Sequence, residues 1–250
     1  MNRNIGIILA AVLIVAFGSV YFLMNGASSG PSDEVQAEQS QNATRTFSWT
    51  EFPEFKQVLQ PENRQEFLTP HATDKAFGDS QAPVVVMEFF SYQCSHCRSF
   101  HQGSFQRIMT DYVDTGLVYF VKRDFLLNDQ SVGFELLAGA GAQCLRTSSD
   151  ILAFADNVFE QQRILASTSD PVDSLVPVFG AVGLDETRAR ECMLDHRNQS
   201  LVLLRSQRSK AAAQVTGTPT IFINGERYLG SYSDYASLRQ SIELALAAAN

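Results

Sequence analysis

Cys94 and Cys97 are separated by two residues in Phe89-Phe90-Ser91-Tyr92-Gln93-Cys94-Ser95-His96-Cys97, directly after an apolar run. Thiols at that spacing can staple a fold, clamp a metal ion or exchange disulfides with other thiols. Exchange needs a thiolate, and a cysteine at a helix start meets unsatisfied N–H groups and the positive end of the helix dipole, which lower its pKa. His96, between the two, adds a cationic or hydrogen-bonding group that favours the same thiolate. A stabilised thiolate makes the reduced pair the preferred form, so the disulfide form becomes an oxidant of other thiols. Cys97, one turn into the helix, is expected to be shielded and to act as the resolving thiol. Zinc would need two further ligands, and His71, His101 and His196 repeat no metal-site spacing. His101, one turn after Cys97, reads as a helix-face residue. A dithiol metal-binding protein, holding copper or another soft metal, is the alternative from a different class.

The elements that must position this pair follow from periodicity. Val84 to Phe90, "VVVMEFF", is apolar apart from Glu88 and reads as a strand buried on both faces. Residues 95–114 carry Phe100, Phe105, Ile108, Met109 and Tyr112 at helical spacing, Gly116 ends the run, and "LVYFVKRDF" follows as the next strand. Near the other end, Thr220 to Ile223 and Arg227 to Leu229 flank Asn224-Gly225, a strong hairpin signal, and a last helix capped by Ser233 follows. In "VTGTPT", Pro219 stands at the first position of a strand, where a cis bond would turn the Thr218 backbone outward. Between the halves, residues 128–216 show helical periodicity broken at residues 147–149, 169–171 and Gly183, which predicts four or five helices. The fold class is therefore α/β: a thioredoxin fold, residues 66–127 and 217–250, with an inserted all-helical subdomain over 128–216.

The amino-terminal part is a different object. Residues 4–24 carry no charge and at 1.5 Å per residue can cross a roughly 30 Å hydrocarbon core. Arg3 before them and Asp33, Glu34 and Glu38 after them predict a transmembrane helix with the rest of the chain outside the cytoplasm; a cleaved signal peptide gives the same placement. Residues 25–45 are small and polar, a flexible tether. In segment 46–65, Phe52, Phe55, Val58 and Leu59 recur at helical spacing behind Ser48 and Thr50, predicting a short amphipathic helix that packs on its own domain or pairs two copies into a homodimer. The net charge of -8 and pI near 5.0 argue against nucleic acid as a partner. Outside the cytoplasm cysteines pair, and the four, Cys94, Cys97, Cys144 and Cys192, allow three pairings.

"VVVMEFFSYQCSHC", the helix after it, the helical insertion and "GTPTIFING" together resemble DsbA-type thiol:disulfide oxidoreductases, over residues 66 to the end. DsbA is itself a standard case of a lowered cysteine pKa and an oxidising disulfide, so the resemblance points the same way as the local chemistry. It implies Cys94 as nucleophile, Cys97 as resolving cysteine, Pro219 as the cis-proline facing them, and Thr218 beside it on the strand along which a substrate binds. It places Glu88 where the family carries an acidic residue beneath the site, suited to relay a proton to Cys97. It implies a Cys144–Cys192 disulfide of structural role, reduced secreted or periplasmic proteins as substrates, a DsbB-like membrane reoxidase, and no cofactor bound to this chain. Ser95 stands where proline is common in DsbA, and Thr218 where many strong oxidases carry valine. A disulfide isomerase or reductase of the same fold is the alternative within the family.

Overall fold

The computed structural model describes residues 63–127 and 133–249. The apolar segment 4–24, the tether 25–45 and nearly all of segment 46–65 lie outside the described residues. Among the described residues no helix is long and apolar enough to cross a membrane. After a single helical turn, α1 (Arg64–Phe67), come strands β1 (Lys75–Phe77), β2 (Val84–Phe90) and β3 (Val118–Asp124), and near the end β4 (Thr220–Ile223) and β5 (Glu226–Arg227). They form one sheet in the order β1-β3-β2-β4-β5, parallel between β2 and β3 and antiparallel elsewhere. β1 escapes the sequence reading because three residues are too few for a periodicity.

Strand alternation sorts the apolar run of β2 onto two faces. Val84 and Val86 lie with Phe120 of β3 against Phe100, Phe105 and Ile108, while Met87 and Phe89 lie with Val121 and Phe222 against Phe67, Leu68 and Val215. Glu88 therefore points to the first face, and the parallel register sets it beside Lys122. The crossover from β2 to β3 is α2 (Ser95–Phe100), a π-helical turn His101–Phe105, α3 (Gln106–Ile108) and a second π-helical turn Met109–Val113. The sequence predicts one regular helix here; the structure widens it twice, and such turns recur at functional sites. Gly116 leaves it at φ 75°, and Asn224 and Gly225 turn the β4–β5 hairpin at φ 48° and 82°, as a type I′ turn requires.

Among the described residues six α-helices lie between the two parts of the sheet: α4 (Phe134–Gly141), α5 (Ser148–Glu160), α6 (Gln162–Ser167), α7 (Pro171–Gly180), α8 (Glu186–Leu194) and α9 (His196–Ala212). The count exceeds the predicted four or five because two breaks involve neither Gly nor Pro. Gln161 leaves helical geometry at ψ 6°, and extended Asp195 caps α9 directly after α8 by accepting from the N–H groups of Arg197 and Asn198. Phe154, Phe159, Phe179, Leu137 and Met193 of these helices form one core with Phe90, Tyr92, Cys94 and Cys97. The insertion is thus packed onto the cysteine motif. The final helix, α10 (Tyr235–Ala249), is capped by Asp234, one residue later than Ser233; a carboxylate also complements the positive helix end.

Buried charges tie these layers together. Arg123 of β3 meets Asp74 at 2.8 Å and donates to the carbonyls of Phe67 and Thr69, Arg205 of α9 approaches Asp74 to 3.5 Å, and Lys75 pairs with Asp124 at 2.5 Å. Removing one member would strand a buried charge, so the cluster fixes how α9 and β1 sit on β3. Cys144 and Cys192 are joined by a disulfide that links the turn after α4 to α8. Replacing both with serine is expected to lower the unfolding free energy by about 2–4 kcal/mol, read by urea denaturation, and to leave the alkylation rate of Cys94 unchanged. A changed alkylation rate would assign the bridge a role in shaping the site.

Candidate active site

Beyond Phe90 the chain turns through Ser91, Tyr92 and Gln93, and Cys94 becomes the N-cap of α2, with φ −79° and ψ 118°. A cap accepts from a first-turn N–H, and here the acceptor is sulfur: the Cys97 N–H donates to Cys94 Sγ at 3.3 Å. Gln162 of α6 donates to the carbonyls of Tyr92 and Cys94, at 2.8 and 2.9 Å, and the Ser91 hydroxyl donates to Glu135 at 2.5 Å. These bonds hold the turn from the helical side. Facing it, the Thr218–Pro219 bond is cis, and the Cys94 thiol donates to the Thr218 carbonyl at 3.3 Å. The Thr218 hydroxyl is buried with no hydrogen-bond partner of good geometry, so its proton is available to a sulfur anion.

Both cysteines are free thiols, 6 % exposed for Cys94 and 0 % for Cys97. The hydrogen bond with Cys97 draws the Cys94 pKa down to about 5 against the opposing effect of burial, helped by Thr218 and by the backbone N–H groups of Cys97 and His96. Burial pushes Cys97 well up, and its bond to Cys94 and the nearby charge of Glu88 push the same way. At neutral pH the outer sulfur is therefore a thiolate and the inner one a thiol. His96 lowers the Cys94 pKa through its backbone N–H, and its imidazole Nδ1 lies 2.5 Å from the Tyr232 hydroxyl.

Glu88 is fully buried, with Lys122 Nζ 2.8 Å from Oε2, and neither oxygen has a well-directed hydrogen bond. The short distance and the missing bond are compatible because the ammonium sits off the line a hydrogen bond prefers. Burial raises the Glu88 pKa while Lys122 opposes it. The structure thus gathers Cys94, Cys97, Glu88, Thr218 and Pro219 at one end of β2 and sets Cys144 and Cys192 apart within the insertion. Among the described residues no three His, Cys, Asp or Glu side chains are placed to hold a metal ion.

Sequence reasoning overlooks Lys122, Gln162 and Asp156, and it places His101 on a helix face where the structure buries it. His101 is 1 % exposed, its Nε2 2.7 Å from Asp156 Oδ1 and its Nδ1 3.5 Å from Lys122 Nζ. The signal in the sequence is Lys122 itself, a cation directly after the apolar run Leu117 to Val121.

A family model described as Thioredoxin matches residues 71–243. A Rickettsia bellii protein named as a protein-disulfide oxidoreductase is 24% identical over 152 residues, which are 61% of this chain and 57% of that protein. The chain thus covers less than two thirds of that relative's length. Disulfide bond formation protein D of Bacillus subtilis is 24% identical over 172 residues, 66% of this chain and 74% of its own. Among solved structures, alpha-DsbA1 of Wolbachia pipientis superposes with a TM-score of 0.66 at 24% identity, covering 75% of this chain and 98% of that one. The matched family model spans well over half of the sequence and the superposition reproduces the sheet with its helical insertion: the chain belongs to the thioredoxin family and has the fold of DsbA-type proteins.

Proposed function

We propose that the chain is an extracytoplasmic protein dithiol oxidase that donates a Cys94–Cys97 disulfide to reduced secreted or periplasmic proteins. The observation that carries this is the opposed pair of thiols: Cys94 drawn down to about 5 at the head of α2, and Cys97 pushed up in full burial behind it. A substrate thiolate attacks Cys94 Sγ, the Cys94–Cys97 bond breaks, and Cys97 leaves with the electron pair and takes a proton. A second substrate thiolate then attacks the substrate sulfur of the mixed disulfide. The substrate disulfide forms, and Cys94 departs as a thiolate that its hydrogen bonds already stabilise. Glu88, fully buried beneath the pair, is the group assigned to exchange the Cys97 proton. The backbone at Thr218–Pro219, 3.3 Å from Cys94, is the edge along which the substrate lies.

The names carried by the Rickettsia and Bacillus relatives support disulfide exchange as the activity. The uncharged segment 4–24 supports anchoring in the cytoplasmic membrane, with residues 25–45 as tether, 46–65 as a docking or dimer-forming segment, and 128–216 as a subdomain inserted into the thioredoxin domain of 66–127 and 217–250. A DsbB-like membrane reoxidase would restore the disulfide. Alkylation of thiols in intact cells tests the direction of flow: Cys94 and Cys97 are expected to be mostly oxidised. A mostly reduced pair would replace the oxidase by an isomerase or reductase. Tight copper binding without any refolding of a reduced substrate would replace both by a metal carrier.

A further inference from the structure

Each cycle puts a proton on Cys97 and removes it again, yet that sulfur and the carboxylate and ammonium beneath it are shut off from solvent. Cys97 and Glu88 are 0 % exposed and Lys122 is 2 % exposed. Lys122 Nζ stands 2.8 Å from Glu88 Oε2 on one side and 3.5 Å from His101 Nδ1 on the other, enclosed by the rings of Phe90, Phe105 and Phe159. His101 stacks on Phe105 and packs against Phe159, and its Nε2 lies 2.7 Å from Asp156 Oδ1 on α5. Asp156 is the first member of this series in solvent, with its side chain 53% exposed. The π-helical turn that begins at His101 widens the crossover helix at this point.

We propose that Lys122, His101 and Asp156 form a proton path that connects Glu88, and through it the Cys97 thiol, to solvent. The inference rests on disulfide exchange at Cys94 and Cys97. On ring closure Cys97 gives its proton to Glu88 and attacks Cys94 Sγ, expelling the bound thiol as a thiolate. The ammonium of Lys122 passes a proton to His101 Nδ1 and is refilled from Glu88, while the Nε2 proton leaves to Asp156 and water. Opening of the disulfide runs the same path inward. Burial and the Lys122 charge bring the His101 pKa down to about 4, so the ring is neutral and one nitrogen is free to accept. The ionisable groups along the path are Cys94 and Cys97 at the α2 start, Glu88 on β2, Lys122 on β3, His101, and Asp156 on α5. His101 and Asp156 touch neither sulfur; they act through Glu88 and Lys122.

The test separates the two chemical steps. Reduced protein is mixed with oxidised glutathione, quenched in acid at intervals, and the reduced, glutathionylated and ring-closed forms are counted by mass, across a range of pH. In Asp156→Asn, altered only at the surface, and in His101→Phe, which keeps the aromatic stacking, ring closure by Cys97 is expected to slow by roughly tenfold or more near neutral pH. Attack by Cys94 should stay within about twofold of the unaltered protein. Free imidazole should restore closure in His101→Gly. Closure as fast in both of the first two variants as in the unaltered protein overturns the path, and so does equal slowing of both steps, which would mark a structural effect. An unaltered protein that forms no mixed disulfide overturns the exchange reading itself.

Discussion

Cys94→Ala is expected to abolish transfer of a disulfide to a reduced test protein, with a loss of at least roughly a thousandfold. Its partner variant Cys97→Ala should behave differently. It keeps the N–H of residue 97 on the Cys94 sulfur, but it loses the Cys97 thiol, the largest cause of the lowered Cys94 pKa, so Cys94 remains a nucleophile with a smaller thiolate fraction at neutral pH. With no resolving thiol, Cys94 that attacks a disulfide, oxidised glutathione for instance, expels one thiolate and stays joined to the other sulfur; a substrate thiolate can then displace glutathione, and stable mixed disulfides should accumulate. Recovery of a reduced, unfolded substrate measured for both variants decides the matter. A Cys94→Ala protein that still catalyses oxidation would move the nucleophile to Cys97, in conflict with the burial of that sulfur. Trapped substrate on Cys97→Ala, cut by reductant and identified, would also reveal which proteins the chain serves. The fold gives no reason to expect Cys94→Ala to unfold: the lost cap is a weak sulfur acceptor, and Gln162 still grips the turn through the carbonyls of residues 92 and 94.

Much of this site was readable because its parts are local. The spacing of Cys94 and Cys97, the apolar strand before them, the proline at the start of β4 and the Asn224-Gly225 turn each carry their own signal within a few residues. What stayed hidden depends on contacts across the chain. Glu88 is legible as a lone acid in an apolar run, but its partner is set by strand register, which no local pattern supplies. His101 looked like one more residue of an amphipathic helix; a π-helical turn and a carboxylate 55 residues away put it into the core. Gln162 reads as an ordinary polar residue in a helical stretch, yet its amide holds the turn between strand and helix. The sequence assigns the lowered pKa of Cys94 to the helix start and to His96; in the structure the hydrogen bond with Cys97 is the largest cause, a contact with the second cysteine's own side chain, while the His96 Nδ1 lies beside the Tyr232 hydroxyl.

The same hydrogen bonds make the stability of the protein depend on its redox state and on pH. Cys94 ionises at about 5 in the fold, against 9.0 for an unperturbed cysteine. A group whose folded pKa is depressed contributes stability that is fully present above the unfolded value and is lost as pH falls through the folded one. In the oxidised protein Cys94 does not titrate, so the reduced form should gain on it as pH rises from 5 to 9. At 1.36 kcal/mol per unit, and less where solvent screens the sulfur, the gain between pH 4 and pH 7 is at most on the order of 3 kcal/mol, and by pH 9 at most on the order of 5 kcal/mol. Cys97 has the opposite sign: its raised pKa gives stability that is lost as pH climbs beyond the unfolded value, so the gain should peak near pH 9 and fall above it. Glu88 is present in both redox forms, and the cost of its burial cancels in the comparison. Urea unfolding of the reduced and oxidised proteins in parallel, at stepped pH, reads the difference directly; a difference that stays flat from pH 4 to pH 8 would sink the thiolate account. The gain is also the driving force for donation, since whatever stabilises the reduced pair pushes the disulfide onto a substrate. The expected behaviour is therefore a protein that becomes both a stronger oxidant, relative to an ordinary cysteine pair, and a more stable dithiol as the Cys94 sulfur sheds its proton.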